Sequence, residues 1–231
     1  MARRIYLGVA GTALLLLGGC ASHRASSSAA KVDKEWVARV PPDKLGSVQQ
    51  AELTEEQARE QITRAQVARK DAEAAKEVAQ RNEEAAKSRH AAAKLALKSA
   101  EETGDPAAIE QAQAAACSAQ HAVTLAEAET AWRDDAVTTL KSLEDMRQRE
   151  LDVADAQLEQ AEFEAVNANA DVRAKELNAG DFASAVADAR RRAAEQQHQV
   201  DSNLQREEQA KARWQQLQDQ GYGGSGSQQQ P

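Results

Sequence analysis

The chain has 231 residues, with 37 acidic against 29 basic side chains and a formal net charge of −8. This balance argues against binding to nucleic acid, which attracts clusters of Lys and Arg. Aromatic residues make up only 3% of the chain, which argues against a large globular core, whereas abundant Ala, Glu, Gln, Lys and Arg are typical of long helices and coiled coils.

Residues 1–19 have the parts of a secretory signal peptide. Arg3 and Arg4 form a positively charged start, and the apolar stretch from Ile5 to Leu17 follows it. That stretch is shorter than the about 20 apolar residues that a helix needs to cross a bilayer. The leader is therefore expected to be cleaved. An uncleaved membrane anchor and an ordinary secretory signal with a chance cysteine are the alternatives.

The motif Leu17-Gly18-Gly19-Cys20 lies directly after this apolar stretch. It resembles the lipobox of bacterial lipoproteins. The resemblance implies cleavage before Cys20 and acylation of that cysteine, and several acyl chains together give a stable membrane anchor. Ala21, rather than Asp, follows the cysteine, which by the same resemblance implies the outer membrane, with the protein facing the periplasm.

Residues 20–53 are predicted to form the lipid anchor, a tether and an arm. Residues 21–30 lack hydrophobic periodicity and read as a flexible tether. The segment Asp33–Val37 could form one helical turn or a short strand, and Pro41-Pro42 then favours an extended path. Four apolar side chains are expected to dock the arm on the helical body: Trp36, Val37, Val40 and Leu45.

Residues 54–219 are predicted to form the helical body. Thr54 and Gln57 have the spacing of a capping box at a helix start. Gly104, Asp105 and Pro106 can end one helix and begin the next, and Gly180-Asp181 repeats that pattern. The predicted helices are 54–103, 106–178 and 182–219, followed by a disordered Gly- and Gln-rich tail at residues 220–231.

A seven-residue apolar repeat runs through all three helices and predicts a left-handed coiled coil. In the first helix the repeat consists of Ala58, Ala65, Ala72, Ala79, Ala86, Ala93 and Ala100. Alanine lets helix axes approach closely but buries little apolar area, so helix propensity must contribute much of the stability.

Short turns make neighbouring helices antiparallel, which predicts an all-α fold of long helical hairpins. Folding the chain about the two predicted turns makes the outer helices overlap along residues 141–156 of the middle helix. A short three-helix bundle would lie there, with a two-helix hairpin projecting from each end. The alternative is a break near 130–139 that gives a compact four-helix bundle. The long helix is preferred because no Gly or Pro marks the break.

Cys117 and His121 are one helical turn apart, and folding about the first turn brings His90 to nearly the same height. A thiolate and two imidazoles could bind zinc or copper. The heptad phase places all three away from the helix seam, however, which favours solvated or half-buried polar residues over a metal site. No metal or other cofactor is therefore expected.

The sequence contains no nucleophile–His–acid set, zinc-protease motif or dinucleotide-binding fingerprint, so no enzymatic activity is expected. We expect a lipid-anchored periplasmic coiled-coil protein that acts as a structural spacer, scaffold or interaction module of the bacterial cell envelope. Its partners would be the membrane, through the lipid, and other envelope proteins or a second copy, through its helical faces. The alternatives are a holdase-type chaperone for envelope proteins and a metal-binding lipoprotein.

Overall fold

The computed structural model describes residues 31–223, which form an all-α fold without strands. The predicted class of long antiparallel helical hairpins is confirmed. The elements are α1 (Lys34–Val37), a 3-10 turn (Pro42–Lys44), α2 (Gly46–Thr103), α3 (Pro106–Ala168), a second 3-10 turn (Val172–Glu176) and α4 (Ala179–Gly223). The leader, Cys20, the predicted tether at 21–30 and residues 224–231 lie outside the described residues.

The turn between α2 and α3 has the predicted chemistry. Gly104 adopts the left-handed conformation, with φ at 70°, and ends α2. The Asp105 side chain accepts a hydrogen bond from the backbone amide of Ala107, and Pro106 occupies the first turn of α3. Glycine reaches positive φ without steric cost, and proline lacks the amide that a helix start leaves unpaired. This turn therefore makes α2 and α3 antiparallel.

The alanine repeat of α2 faces α3 along their whole shared length. Ala65, Ala79 and Ala86 are buried, and the other four members are half-buried. Ion pairs at the edges of the seam set the register, among them Arg69–Glu144 at 2.6 Å. The predicted seam is therefore correct, and small side chains allow the two long helices to pack closely.

Helix α2 begins at Gly46, eight residues before the predicted start at Thr54. Thr54 is not a capping residue, because its hydroxyl donates a hydrogen bond to the carbonyl of Gln50 one turn earlier in the same helix. The 3-10 turn at Pro42–Lys44 leads through Leu45 directly into the helix. The first turn of α2 has no side-chain cap at Leu45, so a capping motif could not locate the start.

Helix α3 ends at Ala168, and the predicted end at residue 178 is wrong. Ala170 takes a left-handed conformation with φ at 56°, and the Asp171 side chain caps the following 3-10 turn. Gly180 does not end a helix but lies in the first turn of α4, where its amide donates to the Asn178 side chain at 3.0 Å. The chain therefore reverses about ten residues earlier than predicted.

Helix α4 runs back along α3 over most of its length. Phe182 stacks on Phe163 at 4.7 Å between ring centroids, and Trp214 stacks on Trp132 at 4.9 Å. Near the end of α4, Gly221 lies against His121. The helix extends to Gly223, past the predicted end at residue 219. The described part of the predicted tail, residues 220–223, is therefore helical.

The three helices consequently lie side by side along about residues 121–166 of α3, a much longer stretch than the predicted 141–156. Helix α3 is continuous through 130–139, as preferred, and packs against both α2 and α4, whereas these two hardly approach each other. Only one two-helix hairpin projects, over about residues 91–120. At about 1.5 Å per residue it is about 20 Å long, so the predicted pair of projecting hairpins is wrong within the described chain.

Candidate functional site

The N-terminal arm, residues 31–45, docks at the end of the molecule opposite the Gly104 turn. Val32 and Val40 are buried in one apolar cluster with Val166 and Phe182, and Trp36 packs against that cluster while remaining partly exposed. Of the two alternatives for this segment, a helical turn or a short strand, the structure has the helical turn, α1, capped by the Asp33 side chain. The predicted docking side chains Val37 and Leu45 also pack on the cluster.

An ion pair fastens the arm to α3. The ammonium of Lys34 donates a hydrogen bond to Glu162, whose side chain is only 2% exposed, compared with 67% for Lys34. The other carboxylate oxygen of Glu162 is buried without a hydrogen-bond partner. Burial raises the pKa of Glu162, and the hydrogen bond from Lys34 opposes that shift. Beside this pair, the amide of Val32 donates to the Glu159 carboxylate at 3.0 Å.

The second 3-10 turn holds the opposite side of the arm. The guanidinium of Arg173 lies 5.2 Å from the centre of the Trp36 ring and bonds to Asp171, with 2.9 Å between Nε and Oδ1. Hydrogen bonds from the Arg173 side chain and backbone lower the pKa of Asp171 to about 2. Apolar burial and these polar contacts together fix where the chain enters the helical body.

A groove of about 460 Å³ lies beside the arm, between α2 and α4. Its floor includes Leu158 and Phe182, and its rim carries cationic and acidic side chains, among them Lys31, Arg59, Arg192, Glu55, Asp155 and Asp188. Burial raises the pKa of Asp155, and the nearby Glu55 carboxylate adds to the shift. None of the described residues that line the groove is Ser, Thr, Cys, His or Tyr. This arrangement suits contact with charged groups of a partner.

The three candidate metal ligands His90, Cys117 and His121 line one shallow cavity near the end of α4. Their equal height on the hairpin was therefore predicted correctly. Cys117 is exposed, and Nε2 of His121 is buried without a hydrogen-bond partner. The His121 ring packs against Gly221, where an added Cβ would lie only 2.7 Å from the ring. Within residues 31–223 no three His, Cys, Asp or Glu side chains form a metal-binding group.

Sequence reasoning missed the surface of α2 that points away from α3. Leu53, Val67, Val78 and Leu95 are all more than half exposed on this helix. The heptad repeat could have identified this surface, because residues two and six positions after each seam alanine must face away from α3. We call the exposed residues at these positions, from Leu53 to Ser99, the outer face of α2.

No helix within residues 31–223 has an apolar run that could cross a membrane. Comparison with protein-family models, with curated proteins and with solved structures found no match for this chain.

Proposed function

We propose that this chain is a lipid-anchored, non-catalytic coiled-coil protein of the bacterial cell envelope that acts as a scaffold for protein contacts. The lipid would be attached at Cys20, in the lipobox-like sequence Leu17-Gly18-Gly19-Cys20. The described fold supports a structural role because most of the described residues lie in three long helices that expose extended faces.

The docked arm is the observation that carries the proposal. Cys20 precedes Lys31 by eleven residues, so a lipid on Cys20 would lie within about 40 Å of the arm even in a fully extended chain. The arm is buried at one end of the helical body, through Val32 and Val40. An anchor at Cys20 would therefore hold that end near the bilayer, with the Gly104 turn about 87 Å farther along α2.

Substitution of the proposed lipidation site tests the anchor. The wild-type protein is expected in the membrane fraction, with an acylated N-terminal peptide detectable by mass spectrometry. Cys20→Ser should release the body as a soluble helical protein. Cys117→Ser is the matched control, because it removes the other cysteine and should remain in the membrane. A Cys20→Ser protein that stays membrane-bound would refute the anchor.

Cross-linking in intact cells tests the scaffold role. A scaffold should give reproducible cross-links from lysines on its helical faces, for example Lys70 and Lys98 on α2, to other proteins or to a second copy. Cross-linked peptides identified by mass spectrometry would name the partner. Recovery of the uncross-linked monomer alone would contradict a scaffold role, even if the lipid anchor were present.

A further inference from the structure

The outer face of α2 lacks a partner within residues 31–223. Leu53, Val67 and Val78 are 52%, 54% and 55% exposed. Small side chains continue the same face toward the turn, at Ala74, Ala85 and Ala92, and all three are exposed. Helix α4 cannot cover this face, because it packs on α3 and hardly approaches α2. About 70 Å of helix, from Leu53 to Ser99, is therefore open to another molecule.

We propose that the outer face of α2 binds the same face of a second copy of this chain, in an antiparallel pair with its twofold axis near residue 76. This alignment places Val67 opposite Ala85 of the second copy and Ala74 opposite Val78 of the second copy. The twofold symmetry produces each contact a second time, with the roles of the two copies exchanged. Val67, Ala74, Val78 and Ala85 are therefore symmetric about residue 76, as a self-complementary surface requires. Toward the ends of the face, Leu53, Ala92 and Leu95 come opposite polar residues of the second copy.

Charge complementarity supports the antiparallel arrangement. The same alignment sets Glu56 beside Lys98 of the second copy and Lys70 beside Glu84 of the second copy, on the edge of the face. All four side chains are exposed. None has an ion pair within the described chain, where the ion pairs of α2 involve other residues. These four charges can therefore pair between copies without breaking a contact within one copy. Glu77 on the same edge faces Glu77 of the second copy at the axis, and Arg81 of its own helix compensates its charge.

Charged residues also occupy positions within the outer face itself, between its apolar residues. Asp71, which is exposed and also lacks an ion pair within the described chain, comes opposite Arg81 of the second copy. Arg81 already contacts Glu77 in its own helix, so its guanidinium would bridge two carboxylates. Two such layers flank the central Ala74 and Val78 layers. Polar layers at fixed heights specify the register of a coiled coil at some cost in stability.

A parallel pair would be disfavoured by the same residues. It would place Asp71 beside Asp71 of the second copy and Arg81 beside Arg81 of the second copy, and like charges inside the face repel. An anionic lipid surface would gain little electrostatic attraction from this face, because Arg64 and Arg81 are balanced by Glu60 and Asp71. The charge pattern therefore favours an antiparallel second copy over both alternatives.

The inference rests on the proposed function in that a scaffold needs a partner-binding face, and it makes that function more specific. In an antiparallel pair the two arms lie at opposite ends of the α2 pair, about 90 Å apart. If both copies are anchored to one membrane, the pair lies along the bilayer. That geometry favours a scaffold along the surface over a spacer that stands upright.

Sedimentation equilibrium of the purified full-length chain in density-matched detergent tests the pair. The wild type is expected to be a dimer. Val78→Glu places a charge in two symmetry-related apolar layers and should weaken dimerisation at least tenfold. Val172→Glu is the matched control, because Val172 is 71% exposed but lies on the second 3-10 turn. Circular dichroism should show the same helix content in both variants.

Charge reversal tests the register. Glu56→Lys and Lys98→Glu should each weaken the dimer about tenfold, because each change creates two repulsive pairs. The double variant restores both pairs and should return to wild-type affinity. Lys94→Glu is a control on the neighbouring side of α2. A double variant as weak as the single variants would overturn the antiparallel register.

Two further outcomes would overturn the pair itself. One is a monomeric wild type at every concentration, and the other is a dimer insensitive to Val78→Glu. Binding of the monomer to phosphatidylglycerol vesicles through this face would instead identify a lipid surface as the occupant. The proposed function is tested separately by the Cys20→Ser fractionation, so its failure can be distinguished from failure of the pair.

Discussion

Lys34, on the N-terminal arm, forms an ion pair with the buried carboxylate of Glu162 on α3. The pair joins the part of the chain nearest the proposed lipid to the end of the helical body at which the arm docks. The Lys34 side chain is 67% exposed and the Glu162 side chain 2% exposed. Water can therefore solvate the ammonium but not the carboxylate. Removal of Lys34 leaves a buried carboxylate without its cation, whereas removal of the Glu162 carboxylate leaves only a hydrated ammonium.

Lys34→Ala should destabilise the protein at neutral pH. The substitution leaves the Glu162 carboxylate buried without its cation. We expect a loss of about 1–2 kcal/mol in the free energy of unfolding, less than for a fully buried pair because Lys34 is largely hydrated. Urea unfolding followed by circular dichroism measures the loss. Lys31→Ala, nearby on the arm, is the control and should change stability little.

Glu162→Gln should remove a pH dependence of stability. The pKa of Glu162 is raised in the folded state, first by burial. Its contribution to stability is therefore fully present below the unfolded pKa of about 4.3 and is lost as the pH rises through the folded pKa. Gln does not titrate, so the stability of the variant relative to wild type should increase with pH across that window. The raised pKa of Lys34 affects stability only at much higher pH.

Unfolding curves at several values between about pH 4 and pH 8 test this sign. Glu164→Gln is the matched control, because Glu164 is exposed and lies two residues away on the same helix. A difference between Glu162→Gln and wild type that stays constant with pH, or that falls as the pH rises, would show that burial does not dominate at Glu162.

Ala170→Gly should stabilise the protein. Ala170 has a φ of 56°, and a left-handed conformation costs a residue with a Cβ about 1–2 kcal/mol relative to its usual conformations. Glycine adopts it freely, so we expect a gain of about 1 kcal/mol in the free energy of unfolding after the entropy of glycine in the unfolded chain is included. Thermal and urea unfolding measure it.

The control for that gain is Ala187→Gly, at an exposed site inside α4. There glycine has no conformational advantage and should cost about 1 kcal/mol. Opposite signs for the two Ala→Gly changes would verify that the turn, and not a general effect of glycine, explains the result. A loss of stability in Ala170→Gly would contradict the strained turn.

The two interhelical turns show where sequence reasoning succeeds and fails. The first has Gly104, Asp105 and Pro106, each at the position that its backbone geometry favours, and it was predicted to the residue. The second uses Ala170 in the left-handed conformation, so a search for glycine placed the reversal at Gly180 instead. Asn167, Asn169 and Asp171 were the available signal, because Asx side chains favour turns over helix interiors.

The place of the second turn also determines how much of the candidate metal site could be predicted. Folding about the first turn correctly brought His90 to the height of Cys117 and His121. The contact of His121 with Gly221 could not be predicted, because it depends on where the second turn lies and how far α4 extends. The burial of Glu162 could not be predicted either. A carboxylate at this position beside the apolar seam is expected to be exposed, and Glu162 is buried only because the N-terminal arm covers it.

Trp214→Ala should loosen the last turns of α4. Trp214 stacks on Trp132 at 4.9 Å, and the guanidinium of Arg133 lies 3.9 Å from the centre of the Trp132 ring. Both rings are half-buried, so we expect a loss of about 2 kcal/mol, below that for a fully buried tryptophan. Hydrogen exchange should accelerate at residues 205–221 and remain unchanged at 182–200.

Leu204→Ala serves as the control for that experiment, because Leu204 lies on the same helix and is 44% exposed. It should leave exchange at residues 205–221 close to wild type. Equal acceleration in both variants would mean that general helix fraying, and not the tryptophan stack, limits exchange. Unchanged exchange in Trp214→Ala would contradict a role of the stack in holding α4 on α3.

Cys117 should react as an exposed thiol and should not bind a metal ion together with His90 and His121. Maleimide labelling of the native protein is expected to be complete without denaturant, because Cys117 is exposed. Nε2 of His121 is buried and its ring faces Gly221. Coordination would therefore require the ring to leave its contact with α4, which opposes binding.

A cobalt titration followed by absorbance tests this expectation, because thiolate coordination to cobalt gives a charge-transfer band. Wild type and Cys117→Ser should give the same spectrum. His198→Ala is a useful control for nonspecific binding, since His198 is exposed on α4 and far from this cavity. A thiolate band in wild type that disappears in Cys117→Ser and in His121→Ala would establish a metal site and show that the end of α4 moves away to form it.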